Sequence, residues 1–420
     1  MKRKNIIFNM LVLLFLTFCV QFTDLKIGFV KITEILLLVA APFVLLGKLN
    51  KYVVHFLLFF TVMGVLSFWT TSRLDFAYIE PSFFKRPYWI TISRYLEIVT
   101  CLILCNIAFL YFRSLKKSNQ FDRYINIFID LNIVLTAVFV FVYLLVVFEV
   151  ISINDTRLVY SYATRLRGYF AEGGPFGLML SFFFMLTYWV KSKKGRYIRR
   201  IFLFVVIFFM AQSKAGTLCC VVWLGIENFE FVRRKLKPLL FPIITISLIG
   251  FIYLFININD MYVKEIQRVK QSVLERPTDR NLILGRVSGF FITPKIITKH
   301  TLLGIGTGNY PLLRNNKEYR GFFPLPPKNI RNIDAHGYGG IMDILIDNGL
   351  LGIIFFFWIL LKIFERVRKE RGKIEFLLGF VILFSFGVQI HFMYPWILLA
   401  LILVKKYKDN EASNRLKINP

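Results

Sequence analysis

Apolar blocks of about 15 to 24 residues recur along this chain, separated by short charged stretches, which is the spacing a hydrocarbon slab of roughly 30 Å imposes on helices. With 56% apolar side chains, 47 phenylalanines and a mean hydropathy of +0.60 over 420 residues, the chain is too apolar to be a water-soluble enzyme. The expected fold class is all-α: a polytopic integral membrane protein with a large, partly helical extracytoplasmic loop. About twelve spans are expected, at Ile6 to Phe22, Ile27 to Leu46, Tyr52 to Trp69, Ile92 to Phe112, Ile125 to Phe148, Phe176 to Val190, Ile201 to Met210, Thr217 to Ile226, Leu239 to Ile256, Ile341 to Phe364, Phe376 to Ile390 and Pro395 to Val404. This divides the chain into helices 1 to 9 (1–256), the external loop (257–340), helices 10 to 12 (341–405) and a tail (406–420). The basic, apolar start Met1 to Val20 lacks a small-x-small cleavage site and reads as a retained first helix.

Lysine and arginine outnumber the acids 53 to 25, a net charge of +28, and the location of that excess decides its meaning. Basic clusters at Lys2–Lys4, Lys48–Lys51, Arg113–Arg123, Lys191–Arg200, Arg233–Lys237, Lys362–Lys373 and Lys405–Lys417 all fall on one side of the expected membrane. That side is therefore cytoplasmic, both termini lie there, and nucleic acid is not the expected partner. The interruption Gln212-Ser213-Lys214 reads better as a hairpin than as part of one long span, because a single span would put the clusters at Arg199 and Arg233 on opposite faces. The five cysteines all sit inside apolar blocks, so neither a disulfide framework nor a metal site is expected.

Several groups could carry chemistry. Lys31 with Glu34, and Arg94 with Glu97, are ionisable pairs at i, i+3 spacing within spans; each is either a structural ion pair or a functional one, and Arg94 lies within a turn of the outer surface. His336, Asp343 and Asp347 would share one line of a helix that included all three, and His336 is the one of four histidines that opens such a stripe. Arg165 and Arg167 precede the sixth span beside Gly168, where arginines suit bidentate phosphate binding or snorkel to lipid phosphates. The run Gly304-Ile-Gly306-Thr-Gly308-Asn309-Tyr310 is a turn whose successive N–H groups could also cradle an anion. The external loop from Asn257 to His336 carries thirteen basic residues, Arg286 among them, against six acids, which fits either a solvated loop or a site for an anionic substrate. External aromatics such as Tyr88, Trp89 and Tyr310 suit sugar stacking or the ordinary interfacial belt.

Taken together and in order, Arg94-Tyr95-Leu96, Arg167-Gly168 with Glu172, Ser213-Lys214-Ala215-Gly216, Arg286, the glycine run at Gly304 to Asn309, and His336 leading to Asp343, Asp347 and Gly349-Leu-Leu-Gly352 resemble the O-antigen ligase and Wzy-type polysaccharide polymerase family over about Ile92 to Phe364. The resemblance implies a cofactor-free, metal-independent glycosyltransferase of the bacterial cytoplasmic membrane. It would pass an oligosaccharide from undecaprenyl diphosphate to a sugar hydroxyl on the outer face. It implies His336, Arg286 and Arg167 as catalytic residues, and Arg165, Arg94, Lys214, Asp343, Asp347 and Tyr310 as substrate-binding ones. Implied partners are the lipid-linked donor, a glycan acceptor and the bilayer, with a chain-length regulator and a flippase as further candidates. Polymerisation of repeat units into O-antigen, capsule or exopolysaccharide is the preferred activity; ligation of finished polymer to lipid A core and transport of lipid-linked glycans are the alternatives.

Overall fold

The computed structural model of the chain describes residues 2–28, 30–77, 82–160, 164–229, 260–327 and 338–404, with 242, 246 and 250 as isolated positions. The described part is mostly helical. Helices α1 (Lys2–Gln21), α2 (Ile32–Leu45), α3 (Lys51–Thr71), α4 (Trp89–Lys117), α5 (Phe121–Val147), α6 (Gly173–Leu186), α7 (Lys193–Val205) and α8 (Lys214–Glu227) form the first part. Short helices α9 (Asp260–Gln267), α10 (Val269–Glu275), α11 (Arg280–Leu284), α12 (Arg286–Lys299), α13 (Tyr310–Leu313) and α14 (Lys317–Arg320) follow, then α15 (Gly340–Val367), α16 (Arg371–Ser385) and α17 (Met393–Leu403). Two antiparallel ribbons complete it: β1 (Lys26–Ile27) with β2 (Val30–Lys31), and β3 (Val159–Tyr160) with β4 (Arg165–Leu166), the latter in the register Val159 to Leu166 and Tyr160 to Arg165.

Four helices, α3, α4, α5 and α15, are long and apolar enough to cross a membrane, and Asn5–Gln21, α2 and α17 are shorter apolar helices. At 1.5 Å per residue the 14 residues of α6 rise only about 21 Å. Nearly all of the segment expected as a ninth span lies outside the described residues.

The core is built around α17. Every residue from Met393 to Leu403 is buried, as befits a helix apolar on all sides, and it packs most extensively on α4. Around it Phe56, Phe60, Phe380 and Phe384 surround Trp396, whose indole N–H donates to the Ile390 carbonyl at 2.7 Å. The periphery is apolar too: Val39, Phe43, Val65, Val134, Phe141 and Ile354 are exposed, the surface of a helix meant for lipid. All five cysteines are buried thiols.

Contacts sort the helix ends into two sets. At one end Lys191 pairs with Asp122 at 2.7 Å, Trp189 stacks on Phe376 at 4.0 Å, and the Tyr52 hydroxyl donates to the Lys362 carbonyl at 3.3 Å. The basic clusters at Arg113–Arg123, Lys191–Arg200 and Lys362–Lys373 gather at this end. At the opposite end Asp24 N–H donates to the Tyr169 carbonyl at 3.1 Å, and the short helices α9 to α14 form a cap around two small cores, one of which also takes in Ile346 of α15. The turn at Ser213 is a hairpin: Arg196 and Arg200 near the start of α7 reach Glu227 at the end of α8, at 3.4 and 2.5 Å, so the two helices run antiparallel. A single π turn, Val206–Met210, carries α7 into that hairpin.

The expected tenth helix differs from a straight rod. Gly349, at φ +62, breaks α15 in the middle. The backbone groups freed by the break are taken up by the segment after α12: Ile305 and Gly306 donate to the carbonyls of Ile346 and Asp347 at 3.0 and 2.8 Å, while Leu350 and Leu351 donate to those of Thr301 and Leu302 at 2.9 and 3.2 Å. The break is thus splinted by four hydrogen bonds. A Cβ at Gly349 would collide with the Leu302 carbonyl, which is why glycine stands there.

Candidate functional site

At the cap end, the positions of three cations follow from local packing. Helices α6 and α8 cross backbone to backbone. A Cβ at Gly177 would strike Ser213, and one at Gly216 would come within 2.7 Å of the Gly177 carbonyl oxygen. Ser213 caps α8, its hydroxyl accepting from Gly216 N–H at 3.1 Å and donating to the Gly174 carbonyl at 2.9 Å. Lys214 is thereby fixed as the first residue of α8. On β4, Arg165 donates through Nε to Gln212 Oε1 at 3.0 Å, which ties the β3–β4 ribbon to the hairpin two residues from Lys214. Arg286 opens α12 in the cap. The three come from segments far apart in sequence and lie within electrostatic reach of one another: burial, then Arg165, then Arg286 hold the Lys214 ammonium below its ordinary range. Both Arg165 and Arg286 act on Lys214 as like charges.

Two tyrosines, Tyr310 and Tyr338, stand against α12 at Gly289. Tyr310 is buried, with its hydroxyl 3.4 Å from Thr293 Oγ1, so its ring offers no open face for a sugar and the stacking role implied for it does not fit. Tyr338 is half-buried, lies within reach of the Arg286 charge, and has its phenol pushed up to about 12 by burial and by Tyr310. The sequence reading did not single out Tyr338; the glycine pair that follows it was the available signal.

Arg167 is turned toward its own loop. Its guanidinium donates to the carbonyls of Arg157 and Ala171 at 2.8 and 3.3 Å and lies over the Tyr160 ring at 5.7 Å, so it braces the ribbon that carries Arg165. Arg94 joins a buried network. It pairs with Glu97 at 2.5 Å, Lys31 pairs with Glu97 at 3.2 Å and with Glu34 at 2.9 Å, and His391 Nδ1 stands 3.7 Å from Glu97. The two ion pairs read separately in the sequence are therefore one cluster, to which His391 is an unforeseen addition. With a side chain only 13% exposed and a carboxylate already against it, Arg94 is placed to hold structure rather than a diphosphate.

The glycine run is not an anion cradle. Each N–H from Gly304 to Asn309 has an acceptor in the protein: the carbonyls of His300, Ile346, Asp347 and Gly306, the Ser67 hydroxyl at 2.9 Å for Thr307, and Asp347 Oδ2 at 3.2 Å for Gly308. The run is a wedge between α3, α4 and α15, and Gly308 is small because Arg94 Cγ would lie 3.0 Å from any Cβ there. Asp347 is thus engaged in holding the wedge, and Asp343 caps its own helix by accepting from Gly339 N–H at 3.0 Å. His336 lies outside the described residues. The expected line through positions 336, 343 and 347 therefore has one member outside the described residues. Helix α15 starts at Gly340, and Gly339 and Gly340 are both left-handed (φ +73 and +58), which stops a helix from running back through them.

Compared with family models and with curated proteins, the sequence finds no match.

Proposed function

We propose that the chain is a membrane-embedded glycosyltransferase of about twelve spans, with both termini in the cytoplasm and the cap outside, acting on a glycan carried by a polyprenyl diphosphate. The observation that carries this reading is the convergence of Arg165, Lys214 and Arg286 at the cap end of the bundle. A diphosphate is a weakly basic leaving group. Cleaving its bond to the sugar anomeric carbon needs cations where negative charge develops more than it needs an acid, and guanidinium forks match phosphate oxygens. The acceptor hydroxyl oxygen forms the new bond to that carbon, the electron pair of the broken bond leaves on the diphosphate, and the acceptor proton goes to a base. The family resemblance gives that task to His336, two residues before Tyr338. Polymerisation of repeat units is preferred over ligation to lipid A core.

Deleting the gene and examining the glycans tests the class. Single lipid-linked repeat units without a ladder indicate a polymerase, accumulated long lipid-linked chains a ligase, and repeat units held on the cytoplasmic face a flippase. Arg286→Ala and Arg165→Ala are expected to insert normally and to cost about 100-fold in transfer each, on the scale of lost oxyanion stabilisation. Full activity in both variants removes the proposal.

A further inference from the structure

Resting on that reading, we infer that the polyprenyl tail of the donor lies along the lipid-facing side of the α7–α8 hairpin, so that the diphosphate reaches Lys214 from the outer leaflet. The position of Lys214 on its own helix carries the inference. Lys214, Leu218, Val221 and Gly225 follow one another at spacings of four, three and four, which at about 100° per residue keeps them within about 60° on one face of α8. Lys214, Val221 and Gly225 are exposed and Leu218 is half-buried, whereas Gly216, Cys219, Cys220 and Trp223 on the opposite face are buried. The face turned away from the bundle therefore runs from apolar to charged. From Gly225 to Lys214 it rises about 16 Å, close to the depth of one leaflet of a roughly 30 Å hydrocarbon slab, and the ammonium stands at its cap end.

The end of α7 widens this face near Lys214. Helices α7 and α8 both pack on α6, and the π turn Val206–Met210 packs on α8, so their exposed sides look away from α6 together. Phe208 and Phe209 are 50% and 63% exposed there. Successive residues of an α-helix diverge by about 100°; the wider π turn, closed by Ala211 N–H donating to the Val206 carbonyl at 2.8 Å, narrows that angle and lets both rings face out. Their centroids are 4.8 Å apart with planes at 80°, so the pair offers ring surface in two orientations. Within hydrocarbon a tail gains no hydrophobic energy by leaving lipid for protein, so selection of one lipid has to come from its head group and from packing. This face supplies both: Lys214 with Arg165 and Arg286 near it for a diphosphate, and fixed rings on which a methyl-branched polyisoprenoid packs differently from a straight acyl chain. The exposed apolar face of α5, with Val134, Val138 and Phe141, ends instead at Glu149, a carboxylate that disfavours an anionic head group.

The test uses the full-length protein in phosphatidylcholine nanodiscs and two probes: undecaprenyl diphosphate, and dimethylallyl diphosphate, whose chain is too short to follow the face. Replacing both rings, Phe208→Ala with Phe209→Ala, is expected to weaken undecaprenyl diphosphate binding about tenfold and to leave dimethylallyl diphosphate binding within about twofold of wild type. A photo-crosslinking residue in place of Val221 is expected to capture undecaprenyl diphosphate about tenfold more than one in place of Val138 on α5, and excess phosphatidylglycerol is expected not to displace it. Capture is read on proteins altered at a single exposed position, so it decides the matter even where the double variant does not fold. Equal capture at the two positions, displacement by phosphatidylglycerol, or a double variant that binds undecaprenyl diphosphate like wild type or loses both probes equally overturns the tail site and leaves the diphosphate site standing. A wild-type protein that binds neither probe overturns both.

Discussion

Replacing Gly349 by alanine tests the splinted helix, and its cost can be assembled from the geometry. At φ +62 an alanine pays about 1 to 2 kcal/mol for the left-handed conformation alone. Its Cβ then collides with the Leu302 carbonyl oxygen and would lie 2.6 Å from Gly304 N, so the segment from Thr301 to Gly306 has to retreat. That segment holds four backbone hydrogen bonds across the break. At about 1 kcal/mol net for each, losing two adds about 2 kcal/mol. The sum is about 3 to 4 kcal/mol, which for a chain this long unfolding as one unit lowers the melting midpoint by about 4 °C. Size-exclusion chromatography with fluorescence detection after heating the purified protein measures it. Gly225→Ala is the control: nothing lies within 4 Å of a Cβ there and the site is an exposed helical one, so it should hold or slightly raise the midpoint. If Gly349→Ala melts with wild type, the loop is not a splint and the break is held by something else.

Lys214 makes anion binding pH-dependent with a definite sign. Burial, and then its like-charged neighbours, lower its proton affinity in the empty protein and a bound diphosphate opposes that, so affinity is greatest below the depressed pKa and falls as pH rises through it toward the higher pKa of the bound state. Titrating a doubly esterified prenyl diphosphate, which has no proton of its own to lose near neutral pH, should show proton uptake on binding in alkaline buffer. Lys214→Arg should abolish that uptake while still binding, and uptake of equal size in Lys214→Arg refutes the assignment. Glu227→Gln removes the carboxylate shared by Arg196 and the buried Arg200; it should cost about 3 to 5 kcal/mol, read as loss of folded protein on extraction, and a fully stable variant would mean the α7–α8 hairpin does not depend on this pair.

Hydropathy and charge placement foretold the parts of this molecule that depend on amounts of apolar surface. The apolar blocks that are described became helices, the basic clusters from Arg113 to Lys373 that are described share one end, and the polar triplet at Gln212 turned a long apolar run into a hairpin because Ser213 could cap the second helix. Arg165, Lys214 and Arg286 were legible as cations and were grouped only by the family resemblance, since the placement of Lys214 depends on the α6–α8 crossing at Gly177 and Gly216. The break at Gly349 was hidden because an apolar sequence reads the same whether or not one residue takes φ +62. Spacing within one helix pointed to Arg94 with Glu97 and Lys31 with Glu34, whereas the actual cluster joins β2, α2, α4 and the turn before α17, a long-range arrangement that periodicity does not report. The glycine run looked like an anion nest because free N–H groups were assumed, and every one of them is spent on the chain itself.

The burial of α17 on all sides carries a consequence for biosynthesis. This segment is translated after every other described helix, yet α4, α6 and α16 close around it. Until it emerges from the ribosome, those helices can only wait side by side in the bilayer with their inner faces against lipid or an insertion factor. Assembly of the interior is therefore a late, concerted event, and a ribosome stalled before Met393 would leave a nascent product without its keystone.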